Sequence, residues 1–108
     1  NYERQTENVY VLGTNTYTDD GKEIIKIGFT TTDIETRLKS LYTTGVPFKF
    51  NVLKQYHVNN YTYLEKALHA LLDNYRLNKS REFFTNDCLE YIDKITTLNN
   101  EILSKNID

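Results

Sequence analysis

The segment Lys26-Ile27-Gly28-Phe29-Thr30 constrains the fold of this chain more than any other. Apolar residues at 25, 27 and 29 alternate with residues 24, 26 and 28, which predicts a β-strand over residues 23–29. Gly28 has no side chain, so another backbone or a phosphate group can come close to the strand at this point. A predicted helix follows at once and carries Arg37, whose guanidinium can bind two phosphate oxygens together. Strand, glycine and arginine in this order indicate a site that handles phosphate groups.

A second alternating segment lies upstream, where Val9 and Val11 alternate with Tyr10 and Leu12. It predicts a strand over residues 8–12. The intervening residues 13–21 read Gly-Thr-Asn-Thr-Tyr-Thr-Asp-Asp-Gly and have turn chemistry throughout. Because this connection is short, the two strands are expected to be antiparallel neighbours.

Downstream, the pattern changes to helical spacing. Thr32 with Glu35 three residues later forms the signature of a capping box, and Gly45 and Pro47 predict where this first helix ends. A third strand is expected over residues 48–58, since apolar residues alternate at its start. The expected buried stripe of the first helix is Ile34, Leu38, Leu41 and Tyr42, and the alternating residues of the strand are Phe48, Phe50 and Val52.

Two further helices complete the chain. One repeats apolar residues at helical spacing through Leu64, Ala67, Leu68, Leu71, Leu72 and Tyr75, and the last, over residues 86–105, is expected to bury Leu89, Ile92, Ile95 and Ile102. The order β-β-α-β-α-α predicts an α+β fold, a three-stranded antiparallel sheet flanked by three helices. The 108 residues suffice for a single domain with its core over residues 8–85. Because the chain starts at Asn1 without methionine, we expect it to be excised from a larger protein.

Composition restricts the classes of function. With 39% hydrophobic residues and no apolar run near the roughly 20 residues that cross a bilayer, no membrane span is expected. The lone Cys88 cannot form an internal disulfide, which fits a reducing, intracellular location, either cytoplasm or nucleoid and nucleus. The net charge of −2 counts against strong DNA binding by this chain alone. DNA affinity, if present, is expected to be weak and to need a fused or partner DNA-binding domain.

Arg37 and the pair Glu65 and His69 are the polar residues that border predicted buried stripes. Arg37 lies beside the stripe of the first helix, where it could bind phosphate or simply pair with a nearby carboxylate. Glu65 and His69 lie one helical turn apart, so both can face one groove and hold a divalent ion or move protons. Alternatively, Glu65 completes a capping box that starts at Thr62, and His69 is a hydrogen-bonded histidine at the edge of the core.

Tyr10 lies in the middle of the first strand, where a tyrosine usually only packs. Its side chain shares a face with Leu12, and Lys26 is expected nearby on the neighbouring strand. A cation there would favour the ionised phenolate, which could take a proton from water. From the sequence alone, both packing and proton transfer remain open for Tyr10.

In order along the chain, these residues resemble the GIY-YIG nuclease superfamily, specifically its divergent phage- and virus-borne branch with Lys-Ile-Gly as second motif. Asn8-Val9-Tyr10 stands where that family has Gly-Ile-Tyr, and Lys26-Ile27-Gly28 where it has Tyr-Ile-Gly. Arg37 matches the arginine of the first helix, and Glu65 matches the metal-binding glutamate. His69 and the later Arg81-Glu82-Phe83-Phe84 match the divergent branch.

The resemblance implies hydrolysis of a DNA phosphodiester with one divalent metal ion, Mg²⁺ or Mn²⁺, held by Glu65. It implies that Tyr10, assisted by Lys26, activates water and that Arg37 neutralises charge on phosphorus. His69 would orient Glu65, coordinate metal or transfer a proton. We expect all five side chains to converge on one concave surface, and Glu82 to close the fold or tether a basic residue.

Two positions depart from the family pattern. Lys26 replaces the second tyrosine, so one hydroxyl is absent, and only Asn78 and Asn86 are candidates for the late asparagine. Two alternatives to a nuclease therefore stay open. One is a noncatalytic module that binds nucleic acid or protein within a larger polypeptide, and the other is a purely structural domain.

Overall fold

A computed structural model describes residues 7–43, 50–58, 60–77 and 82–105. Its strands are β1 (Glu7–Tyr17), β2 (Glu23–Thr30), β3 (Asn51–Val58) and β4 (Phe83–Thr85), and its helices are α1 (Ile34–Thr43), α2 (Tyr61–Leu71) and α3 (Leu89–Lys105). Short 3-10 turns cover Asp73–Tyr75 and Asn86–Cys88. The described strands form an antiparallel sheet in the order β3-β1-β2-β4. The predicted α+β class is confirmed, with four strands instead of three.

Alternation along β1 and β2 divides the sheet into two apolar faces. Val9, Val11, Ile25 and Ile27 point to one face and pack with the buried leucines of α2 and with Ile92 of α3. Tyr10 and Leu12 point to the other face, where they pack with Phe50 and with Ile34 and Leu38 of α1. The central hairpin is thus covered by α1 on one side and by α2 and α3 on the other.

The first strand is longer than predicted. Residues 13–17, expected in the turn, continue β1, with an irregular register between Gly13 and Tyr17. Thr14 is buried there and its hydroxyl donates to the Ile24 carbonyl at 2.6 Å. The turn itself begins at Thr18, with Gly21 at φ 87°. Cross-strand hydrogen bonds therefore keep these turn-type residues in the strand. The composition of the segment does not reveal those bonds.

Both predicted N-caps are wrong by one or two residues. At α1 the cap is Asp33 rather than Thr32, because the Asp33 carboxylate accepts the Thr36 N–H at 2.8 Å. At α2 it is Asn60, whose side chain accepts the N–H groups of Thr62 and Tyr63. The predicted end of α1 at Gly45 and Pro47, the side chains of Leu41 and Tyr42, and Phe48 lie outside the described residues.

Two predicted core positions, Leu71 and Ile102, are exposed, and so is Val52 of the alternating third strand. Leu71 of α2 is 66% exposed, Ile102 of α3 is 50% exposed and Val52 of β3 is 41% exposed. Each lies near an end of its element. The described part of the chain contains no helix with both the length and the apolar character that crossing a membrane requires.

Candidate active site

The Tyr10 ring crosses from β1 over β2 at Gly28. The two residues are direct partners in the β1–β2 pairing. A Cβ atom added to Gly28 would lie 2.1 Å from Cζ of Tyr10, so the ring occupies the space of the missing side chain. The tyrosine is 1% exposed, yet it lines a cavity at this edge of β2. The glycine thus allows a strand tyrosine to present its hydroxyl at a site on the far side of the neighbouring strand.

Arg37 meets Tyr10 from α1. Its Nε donates a hydrogen bond to the Tyr10 hydroxyl at 3.1 Å. This hydrogen bond and the Coulomb interaction with the same Tyr10 oxygen raise the pKa of the Arg37 guanidinium above its ordinary value, and the charge of Glu82 adds a smaller contribution, so the group stays positive. Asp33 fixes the start of α1, and Arg37 closes the first backbone hydrogen bond by donating its N–H to the Asp33 carbonyl. The capped first turn therefore holds the arginine beside the tyrosine, as expected for a residue at the edge of the buried stripe.

Glu65 and His69 reach the same cavity from α2. Both are half-buried and lie one turn apart on the helix. The capping role weighed for Glu65 does not hold, because Asn60 accepts the second and third N–H groups of α2 and Glu7 accepts the first, from Tyr61 at 2.8 Å. The Glu65 carboxylate therefore faces the cavity without being needed for the end of the helix.

Lys26 contacts Glu82, not the Tyr10 hydroxyl. Its side chain is 6% exposed and its Nζ lies 2.8 Å from a Glu82 carboxylate oxygen and 5.3 Å from the centre of the Phe83 ring. The pairing of β2 with β4, which brings Phe83 opposite Lys26, places both partners there. The expectation that Lys26 acts on Tyr10 is thus corrected: the cation at the phenol is Arg37. Glu82 tethers a basic residue, as expected.

Residues of β1, β2, α1 and α2 line an open cavity of about 500 Å³ beside β2. β4 begins at Phe83, opposite Lys26, and the preceding Glu82 accepts the Ile27 N–H through its backbone carbonyl at 2.9 Å. The cavity-lining residues Gly28 and Phe29 follow directly after this pairing along β2. Four of the five expected residues line the cavity, and the fifth, Lys26, borders it through Glu82. The lining residues are Tyr10, Ile27, Gly28, Phe29, Arg37, Tyr61, Glu65, His69 and Glu82.

Sequence reasoning missed the apolar part of this lining. Phe29 and Tyr61 face each other with ring centres 5.8 Å apart, and both also pack against the core. In the sequence, Phe29 is one of the alternating residues of a predicted strand, and Tyr61 lies before the helical repeat that starts at Leu64. No local pattern marks either one, because they meet only through the packing of α2 on β2.

The described residues contain no group of three or more His, Cys, Asp or Glu side chains that could hold a metal ion. The cavity instead offers the single carboxylate of Glu65, with His69 one turn away and Glu82 bound to Lys26. One carboxylate in an open polar cavity suits a cation such as Mg²⁺, which keeps several waters and takes further oxygens from a substrate phosphate. This donor set alone would leave such an ion dependent on substrate oxygens for the rest of its coordination.

Comparison with known proteins gives two matches. Residues 7–100 match the T5orf172 domain, a span that includes every residue of the cavity. A protein of Invertebrate iridescent virus 6, "Uncharacterized protein 460R", is 42% identical over 77 residues. This alignment covers 70% of the chain but only 33% of the viral protein, so the chain spans about a third of that relative's length. No solved structure matches significantly.

Proposed function

The chain belongs to the T5orf172 domain family, and from this premise and the geometry of its cavity we propose that it is an endonuclease of the GIY-YIG type. The reaction would be the hydrolysis of a DNA phosphodiester with a divalent cation. One observation carries the proposal. Tyr10, Arg37, Glu65 and His69, spread over 60 positions on β1, α1 and α2, line one cavity although no local constraint requires them to meet.

Arg37 is the residue we assign to the phosphate. Its guanidinium is planar and stays charged, and it can bind two oxygens of a phosphate at once. With Nε engaged by Tyr10, the other guanidinium nitrogens remain donors for a phosphate in the cavity. Because negative charge accumulates on the oxygens around phosphorus in the transition state, a fixed cation at this position lowers the barrier.

Tyr10 is the residue we assign to the attacking water. Its hydroxyl oxygen accepts the Nε–H of Arg37 at 3.1 Å and is thereby held at the cavity. Once the phenol has given its own proton to solvent, the phenolate oxygen can accept a proton from the water that attacks phosphorus. Burial of the ring over Gly28 restricts its motion, so the oxygen is held in position before the substrate arrives.

Glu65 is the residue we assign to Mg²⁺ or Mn²⁺, with the phosphate completing the coordination. Held by Glu65, such a cation would supply polarisation of a phosphoryl oxygen and stabilisation of the leaving 3′ oxygen. His69, one turn further along α2, can hold the Glu65 carboxylate in place or give a proton to the leaving oxygen.

The test is nicking of supercoiled plasmid by the 108-residue chain with Mg²⁺, with Mn²⁺ and with EDTA. We expect cleavage only with a cation, and loss of cleavage in Glu65→Ala. Glu35→Ala removes the same type of side chain from an exposed position of α1 and should cut like the parent. Glu65→Ala protein that nicks as fast as the parent would show that the activity belongs to another site or to a contaminant.

A noncatalytic nucleic-acid-binding module is the second candidate. It is favoured by Lys26, which stands where the family has its second tyrosine and is buried against Glu82, so no hydroxyl is supplied from that position. The net charge of −2 predicts weak, salt-sensitive binding, with further contacts supplied by a partner domain. This candidate prevails if the parent binds DNA but cuts no plasmid with either cation.

A further inference from the structure

We propose that Lys26 is a positioning residue: it holds the Glu82 carboxylate and thereby keeps Arg37 available for the substrate phosphate. The inference rests on the phosphate-binding role proposed above for Arg37. It assigns to the Lys-Ile-Gly segment a function different from proton transfer, because Lys26 acts only through Glu82.

Burial of Lys26 excludes direct contact with a substrate. Its side chain is 6% exposed, whereas that of Glu82 is 52% exposed and lines the cavity. The ammonium group lies 2.8 Å from the carboxylate and 5.3 Å from the centre of the Phe83 ring. Lys26 therefore acts on the cavity by compensating the negative charge that Glu82 brings to it.

Glu82 competes with the substrate for Arg37. The two side chains line the same cavity, and the negative charge of Glu82 contributes to the raised pKa of Arg37. A phosphate binds the same guanidinium donors that a carboxylate binds. If Glu82 lost this ion pair, its carboxylate would turn towards Arg37 and compete with phosphate for the guanidinium donors.

The charges of the cavity support the same conclusion. Glu65, Glu82 and Arg37 together carry one net negative charge, which opposes the approach of DNA. Lys26 beneath them brings this sum to zero. With the charge of Glu82 compensated, Glu65 is available to bind a cation and Arg37 is available to bind a phosphate. The cavity can then bind both.

A purely structural ion pair is the competing explanation, since a buried lysine needs a partner for its charge in any case. The two explanations differ in their effect on Arg37. A structural pair predicts that removing Lys26 lowers stability and leaves the hydrogen bond from Arg37 to Tyr10 intact. The positioning role predicts that Arg37 changes partner, and that removing Glu82 as well restores it.

The first experiment follows the Nε–H signal of Arg37 in ¹H–¹⁵N spectra of the 108-residue chain, identified by its absence in Arg37→Lys. We expect Lys26→Met to shift this signal and Lys26→Met/Glu82→Gln to return it to the parent position. A parent-like signal in Lys26→Met, or a double variant that stays shifted, overturns the proposal. Because the spectra need no DNA and no cleavage, failure of the nuclease assay leaves this test intact.

The second experiment measures binding of a fluorescein-labelled DNA duplex in EDTA by anisotropy. We expect Lys26→Met to weaken binding about tenfold and the double variant to bind within about threefold of the parent. Glu82→Gln alone, at a half-exposed position, should fold and bind about threefold more tightly because it removes a negative charge from the cavity. Weaker binding by Glu82→Gln contradicts the proposal even if Lys26→Met does not fold.

Discussion

The aromatic ring of Tyr10 occupies the space in which a side chain of Gly28 would begin, with Cζ only 2.1 Å from the position of an added Cβ atom. The two residues are cross-strand partners of β1 and β2. The relationship joins fold and site, because the same contact fills the sheet surface and directs the tyrosine hydroxyl towards Arg37.

The first prediction is that Gly28→Ala damages both stability and activity. The ring is buried and cannot move aside without displacing its neighbours, so we expect the free energy of unfolding to fall by about 1–3 kcal/mol. Plasmid cleavage should fall as far as in Tyr10→Phe. Urea unfolding followed by circular dichroism measures the first effect, and the nicking assay measures the second.

Gly13→Ala is the matched control for this prediction. Its added Cβ would lie 2.6 Å from the Glu23 carboxylate oxygen, at the end of a flexible side chain that can turn away. We expect a small loss of stability and parent-like cleavage. Equal damage from both substitutions would mean that the strands reject any alanine and that the Tyr10 contact has no special role.

Elements with a local pattern were predictable from the sequence. Val9, Val11, Ile25 and Ile27 alternate along the strands, and this alternation depends on nothing outside them. The three-residue β4 was not predictable, because it exists only through pairing with residues 24–26 of β2. The N-caps were misread because both helix starts contain several adjacent residues that can cap, and only the backbone geometry selects Asp33 and Asn60.

The candidate site also contains residues that a local pattern predicts and contacts that only long-range pairing determines. Tyr10, Arg37, Glu65 and His69 were found through order along the chain and through helical spacing, and the cavity brings them together. The partner of Lys26 was misassigned, because it is set by Glu82, 56 positions away in the sequence and brought close by β4. The pairing of β4 with β2 therefore decides the partner of Lys26, which the spacing of residues in the sequence could not.

The second prediction concerns the contact between Arg37 and Tyr10. Arg37→Lys keeps the charge but loses the planar donor set, and we expect the single-turnover cleavage rate to fall about 10²- to 10³-fold. Tyr10→Phe should lower it about 10²- to 10⁴-fold with little change in DNA affinity. The double variant should be slower by less than the product of the two effects, since the residues act through one hydrogen bond.

Arg76→Lys is the control for these rates. Arg76 pairs with Asp73 at the 3-10 turn after α2 and does not line the cavity. We expect parent-like cleavage from this variant. Strictly multiplicative effects in the Arg37 and Tyr10 cycle would contradict a shared function for the pair.

The third prediction separates capping from metal binding at α2. Asn60→Ala removes the acceptor of the Thr62 and Tyr63 N–H groups, and we expect a loss of about 1 kcal/mol in stability. Thr62→Ala, at an exposed position inside the helix, should change stability by less than about 0.5 kcal/mol. Glu65→Ala should likewise keep the parent stability, since Glu65 caps nothing. Thermal unfolding of the three variants checks this, and a large loss in Glu65→Ala would restore the capping-box interpretation.

The fourth prediction is a loss of stability at alkaline pH caused by Cys88. Burial of this thiol, together with the negative charge of Asp87, raises its pKa from 9.0 to about 12. Between these values the unfolded chain releases the thiol proton while the folded chain retains it, so the free energy of unfolding falls as pH rises, by up to about 1.4 kcal/mol per pH unit. Urea unfolding at pH 8.0 and about pH 10.5 measures the loss, and Cys88→Ala, which has no thiol to ionise, should lose less between the two conditions. Equal losses in the parent and in Cys88→Ala would assign the alkaline destabilisation to other groups.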